Sequence, residues 1–210
     1  MDGCFLSLIE WGVADEALPG ERESGDRYLV QPMPSGVLVA VVDGIGHGED
    51  AARTAELAIS ALKSSSGASL ITRLRCSQEK LRGTRGAVLS MSFFNSGDGT
   101  MTWLGVGNVE GVLLRSEAPV IPRQESLLLR AGVVGTPLPA ISASIIPVSY
   151  GDLLIFATDG IRSGFADNLN TNASTQEIAQ CIMERHWRKT DDALVLVARY
   201  VYKAEPKPRG

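Results

Sequence analysis

The 210-residue sequence predicts an α+β fold: a single domain over residues 1–202 and a flexible tail at 203–210. Three observations predict it. Short, β-branched apolar runs are joined by brief glycine- and proline-containing turns, as in antiparallel hairpins. Other stretches carry apolar residues at helical spacing and are bounded by capping residues. A chain of this length, 44% hydrophobic and 21% charged, can bury one sizeable core.

Phe5 to Trp11 alternates loosely and reads as a first strand. Glu16 to Gly25 is a polar loop that leads through Ser24-Gly25-Asp26-Arg27 into the apolar Tyr28-Leu29-Val30. Pro32, Pro34 and Gly36 turn the chain into Val37-Leu38-Val39-Ala40-Val41-Val42, a strand suited to burial on both faces. Strands at 27–31 and 37–42, so closely joined, pair as a hairpin, and this brings Asp26 and Asp43 to the same sheet edge. Gly44, Gly46 and Gly48 then let the backbone turn sharply and approach a ligand closely.

A helix from Glu49 to Ser64 follows, with Ala51, Ala55, Ala58 and Leu62 on one face. Ser64-Ser65-Ser66-Gly67 ends it. A second helix opens on the N-cap Ser69, buries Leu70, Leu74 and Leu81, and stops before Gly83. From Gly86 the period shortens: Ala87 to Phe94, Thr100 to Val106 and Gly111 to Leu114 are strands, the first two joined by a hairpin loop at 95–99. Residues 116–126 read as a loop. Leu127-Leu128-Leu129 and Ser144 to Val148 read as further strands around a Gly/Pro segment at 132–139. Asp152 to Thr158 is an apolar strand ending in Asp159-Gly160, and Ile161 to Phe165 is a short turn or helix. Ser174-Thr175-Gln176-Glu177 is a capping box opening a helix with Ile178, Cys181, Ile182 and Arg185 on one face. Asp191-Asp192 precedes a final strand, Ala193 to Val201.

Composition excludes several classes. A net charge of −4 gives no basic footprint for nucleic acid. No stretch reaches the ~20 apolar residues of a membrane span. The N-terminus has Asp2 and no basic segment, so it is no signal peptide. Cys4, Cys76 and Cys181 are odd in number and far apart, which fits reduced thiols in the cytoplasm.

Asp26, Asp43, Asp159 and the Asp191-Asp192 pair share one grammar. Each lies at the end of a buried strand, and glycine adjoins the first three. Carboxylates gathered at one rim repel unless a cation neutralises them, and all-oxygen ligands suit Mg²⁺ or Mn²⁺. A bridging carboxylate such as Asp43 could hold two ions that activate a water and clamp a phosphoryl oxygen. The alternative is that these aspartates are unrelated caps and turn residues. His47 is either a turn residue or a proton relay, and His186 is a solvated residue at a helix end. G-x-S-x-G and the P-loop signature are absent.

Asp43-Gly44-Ile45-Gly46-His47-Gly48, Ser24-Gly25-Asp26, Ala157-Thr158-Asp159-Gly160-Ile161 and Asp191-Asp192-Ala193 resemble, in order and spacing, the motifs of the metal-dependent PPM (type 2C) serine/threonine phosphatases, SpoIIE branch. The resemblance implies a four-layer αββα sandwich of two antiparallel sheets flanked by helices, with two Mn²⁺ or Mg²⁺ ions between the sheets. Carried over by position, Asp43 bridges both metals and is the central catalytic residue. Gly44 offers its carbonyl, Asp26 completes one metal, and Asp159 with Asp191 completes the other, Asp192 being the alternative to Asp191. His47 is the candidate catalytic acid, although the acid of the eukaryotic enzymes follows D-G directly. Leu194 replaces the usual Thr, and the phosphate-binding arginine has only Arg22 as a candidate. The bare catalytic architecture is similar to that of RsbX-like phosphatases, which implies a monomer acting on phosphorylated STAS-domain proteins of a stressosome-like complex, without nucleic acid or membrane. A catalytically inactive phosphoprotein-binding module and a small-phosphoester phosphatase are the competing readings.

Overall fold

The computed structural model describes residues 8–64, 67–116 and 122–202. The sequence-read features at Cys4, Phe5 to Ser7, Ser65-Ser66, 117–121 and the tail from Lys203 lie outside the described residues.

Two sheets stack face to face. One has the order β1 (Ile9–Glu16), β11 (Ala193–Tyr200), β10 (Leu153–Ala157), β6 (Glu110–Leu114), β7 (Gln124–Ser126). The other runs β2 (Asp26–Met33), β3 (Gly36–Gly44), β4 (Ala87–Asn95), β5 (Thr100–Val106), β8 (Leu129–Arg130), with β9 (Ser144–Pro147) also on β5. Among the described pairs every ladder is antiparallel except the short one between β5 and β8. Helices α1 (Gly48–Ser64) and α2 (Leu70–Lys80) cover one sheet, and α3 (Thr175–His186) covers the other.

Three apolar layers follow from strand alternation. Val39, Val41, Phe94, Trp103, Phe156, Leu194 and Leu196 fill the space between the sheets. Leu38, Ala40 and Val42 point the other way, onto Ala55, Ala58 and Leu62 of α1. Ile155, Val195 and Val197 pack beneath Ile178 and Ile182 of α3. The central strands β3 and β11 are buried on both faces, which explains their nearly uncharged sequences. The architecture is thus the αββα sandwich.

Several expectations shift. The first strand is Ile9–Glu16, so its pairing extends past Trp11 as far as Glu16 opposite Ala193. The 116–126 stretch is not wholly loop, because Gln124–Ser126 pairs with β6. The buried face of α3 is Ile178, Ala179, Ile182 and Met183, whereas Arg185 is exposed and Cys181 half-buried. Ser69 and the Ser174–Glu177 capping box act as read from sequence. No described helix is long and apolar enough to cross a membrane.

Candidate metal centre

Four strand ends meet at one edge of the sandwich. Asp26 opens β2 and stands directly opposite Asp43 in the β2–β3 register, as the hairpin reading requires. In the other sheet β10 ends at Ala157, two residues before Asp159, and antiparallel β11 begins immediately after Asp191-Asp192. Thr158 ties the two sheets together. Its hydroxyl donates to Asp26 Oδ2 at 2.8 Å and accepts from the Leu194 N–H at 2.8 Å.

The glycines beside the aspartates serve close backbone approach. A Cβ on Gly44 would lie 2.1 Å from the Ala51 carbonyl oxygen, so only glycine lets α1 close on the end of β3. A Cβ on Gly160 would lie 1.9 Å from the Asp192 carbonyl oxygen, so the turns carrying Asp159 and Asp192 touch backbone to backbone.

The electrostatics are those of uncompensated negative charge. Asp26 is 2% exposed. Burial, and then the neighbouring Asp43, hold its carboxyl well above the usual range against the Thr158 hydrogen bond. Burial, followed by Asp159, Asp191 and Asp192, pushes Asp43 up to about 8. Asp191 is raised chiefly by burial; Asp159 and Asp192 add to this, while its bond from the Asp192 N–H opposes it. Among the described residues none of these carboxylates forms an ion pair with Lys, Arg or His. Nor, among those residues, do three acidic, His or Cys groups converge closely enough to form a metal cage by themselves. The donor set is all oxygen and its one compensating group among the described residues is the exposed His47, which acts weakly on Asp191, so it fits hard divalent cations.

The adjacent aspartates differ. Asp192 is 4% exposed and accepts the Leu18 N–H on Oδ1 at 2.7 Å and the Gly25 N–H on Oδ2 at 2.8 Å. It fastens the 17–25 loop. Asp191 is half-buried and uses Oδ1 on its own neighbour's N–H.

His47 is exposed in the glycine turn, its Nδ1 at 2.7 Å from Glu21 Oε1. Arg22 is exposed and forms no described ion pair. Arg85 instead leans on the turn: a Cβ on Gly46 would lie 2.9 Å from its Nη1. Sequence reasoning missed Arg85 and also Asn108, which donates to Asp159 Oδ2 at 2.6 Å. It missed Asp15, whose carboxyl is raised by burial, with Ser24 and Arg27 opposing. Asp15 lies near the rim end of a strand, the same signal that singled out the other aspartates.

A family model described as stage II sporulation protein E (SpoIIE) matches residues 34–201. No curated protein matches. A solved chain from work on the bacterial stressosome, described as a modular system adapted to control secondary messenger signalling, is 31% identical; the match covers 91% of this chain and 99% of that one, with a TM-score of 0.81. RsbX in complex with magnesium is 21% identical over 91% of this chain and 94% of its own, with a TM-score of 0.79. The catalytic domain of the serine/threonine phosphatase PstP with two manganese ions is 18% identical over 92% and 99%, with a TM-score of 0.65. At such identities the latter two show the fold. With most of its length matched by the family model, the chain belongs to the SpoIIE family of PPM-type, divalent-metal-dependent serine/threonine phosphatases.

Proposed function

We propose that this chain, a single catalytic domain over residues 1–202, acts as a cytoplasmic monomer that dephosphorylates phosphoserine and phosphothreonine on STAS-domain proteins of a stressosome-like complex, resetting bacterial stress signalling. The observation that carries the site assignment is Asp43: it faces Asp26 across the hairpin, and burial, followed by Asp159, Asp191 and Asp192, raises it, with no Lys or Arg paired to it among the described residues. Asp43 would be shared between two ions, Asp26 and the Gly44 carbonyl would help to hold one, and Asp159 with Asp191 the other. Asp191 is preferred to Asp192 because both Asp192 oxygens already hold backbone N–H groups of the 17–25 loop.

When bound, a pair of Mn²⁺ or Mg²⁺ ions supplies an acidified water and draws charge from a phosphoryl group. The chain's own residues set the stage. Thr158 fixes the Asp26 carboxylate and Asn108 fixes that of Asp159. Arg85 and His47 stand on the glycine turn at the rim, His47 oriented by Glu21. The substrate assignment is supported by the likeness to a stressosome-related chain and to RsbX. Free thiols at Cys76 and Cys181 accord with the cytoplasm.

The test is phosphate release from a phosphorylated STAS-domain protein by metal-stripped chain. Release on adding Mn²⁺ or Mg²⁺, none in excess EDTA and none from Asp43→Asn is expected. Full activity in EDTA would overturn the metal assignment. Hydrolysis of p-nitrophenyl phosphate combined with no release from the phosphoprotein would overturn the substrate.

A further inference from the structure

We infer that the paired turns beside Asp159 and Asp191 form a docking surface for acidic residues that flank the phosphorylated residue of a protein substrate. This rests on the phosphatase reading above.

The turn after Asp159 and the turn before Asp191 are stitched together. The Arg162 N–H donates to the His186 carbonyl at 2.9 Å, and the Arg188 N–H donates to the Gly160 carbonyl at 2.8 Å. Between these bonds Ile161 and Trp187 form a bridge and face the α3 core layer. The Trp187 indole N–H donates to the Asp191 carbonyl at 3.1 Å, fixing the second turn to the carboxylate centre. Arg162, Arg188 and Lys189 are exposed on this clasp, each within three residues of Asp159 or Asp191. Lys189 holds a φ of 60°, and its ammonium lies 5.8 Å from the centre of the Trp187 ring. A non-glycine residue in that region costs of order 1 kcal/mol or more, so the surrounding contacts impose the shape.

The charge of this surface is uncompensated. Arg162, Arg188 and Lys189 meet no carboxylate among the described residues; Arg22, Arg53 and Arg75 are likewise unpaired there, and what distinguishes the three is their place together on one clasp beside Asp159 and Asp191. The helix dipole accounts for Arg185 and His186 in the last turn of α3. It does not account for the three cations beyond the helix. The acidic groups nearest in the chain are Asp159, Asp191, Asp192, Glu184 and Asp167, and Glu110 is held by the Ser163 hydroxyl at 2.9 Å. In a chain of net charge −4, a cationic patch bordering a carboxylate rim is a local inversion of sign. A phosphoprotein approaching that rim meets repulsion that the patch offsets, and negative side chains next to the phosphate fit it best. Such complementarity acts on encounter and register more than on the chemical step.

Two phosphoserine peptides alike except for Glu or Lys on both flanks test this. Wild-type kcat/KM should favour the Glu-flanked peptide by roughly tenfold at low salt, and the ratio should shrink as salt rises. The double variant Arg162→Glu/Arg188→Glu should lose or invert that preference while p-nitrophenyl phosphate turnover stays within about twofold, the signature of lost distant binding contacts. Equal wild-type use of both peptides would overturn the inference. So would equal losses of the variant on peptide and small ester, which would mean that the turns shape the metal site. If no phosphoester is hydrolysed, the phosphatase reading fails, and the surface is still read by fluorescence anisotropy. Tighter binding of the Glu-flanked peptide to the metal-free chain supports it. Equal binding, or tighter binding of a DNA duplex, refutes it.

Discussion

Strand β10 carries a buried aspartate just before its start and a second aspartate just after its end, and the two ends of the sandwich treat acid differently. At the far end Asp152 is 2% exposed, but Arg115 donates to it at 2.9 Å and the N–H groups of Ser116 and Ser149 complete its shell. Arg115 also reaches Glu125, so Asp152, Arg115 and Glu125 form one compensated cluster. At the near end Asp26 is equally buried and has only the Thr158 hydroxyl and other carboxylates for company. Burial of an aspartate is therefore not the sign of a site. Burial without counter-charge is, because the missing cation must come from outside the chain.

Neutralising one carboxylate at each end should separate the two roles most sharply. Asp43→Asn should lower turnover at least ~10³-fold, since several kcal/mol of charge stabilisation would depend on the cations it is proposed to hold. Asp152→Asn should leave metal-saturated activity near wild type yet cost about 1–3 kcal/mol of stability, because Arg115 loses one of its two carboxylate partners. Denaturant melts and steady-state assays on both variants check this. An inactive but stable Asp152→Asn would erase the distinction.

The near end also predicts a pH response. Asp43 is raised from 3.8 to about 8 in the folded chain. Its contribution is fully present below its unfolded value and is lost as pH rises through the folded one. The metal-free wild type should therefore lose stability relative to Asp43→Asn between those values, and saturating Mn²⁺ should remove the difference. Thermal melts from pH 5 to 8 measure it; a constant difference would mean that the carboxylates do not repel.

Smaller effects sharpen the picture. Thr158→Val should cost about 1–3 kcal/mol by orphaning buried groups and weaken Mn²⁺ binding by roughly tenfold through Asp26. His47→Ala and Glu21→Ala should have similar, mild effects on turnover, below the roughly 10²-fold at which acid–base assistance begins. A loss at His47 matching that at Asp43 would make it the proton donor.

Much of the near end was legible in the sequence because local rules set it. The short turn at Pro32 to Gly36 forces β2 against β3, and the register then places Asp26 opposite Asp43. The capping box and Ser69 are equally local. What was not legible depends on contacts between distant residues. Arg115 and Asp152 lie 37 residues apart, so the compensated aspartate looked no different from the others. β7 is three residues long and exists only because β6 is beside it. The 116–126 stretch reads as a loop, with nothing local to say at which end it lies; β6 pairs Leu114 with Leu153 and Glu110 with Ala157, which puts Ser116 at the far end. Arg85 was missed because its place beside Gly46 comes from the Ile45 N–H bond to the Gly86 carbonyl at 3.1 Å, across 41 residues.

Proton release on metal binding tests the central claim most directly. Mn²⁺ titrated into metal-free chain near pH 7, in two buffers of different ionisation enthalpy, should bind saturably and release roughly one proton, as Asp43 gives up the proton that the cation replaces. Asp43→Asn should bind more weakly and release fewer. Tight binding with no proton release, unchanged in Asp43→Asn, would contradict the account.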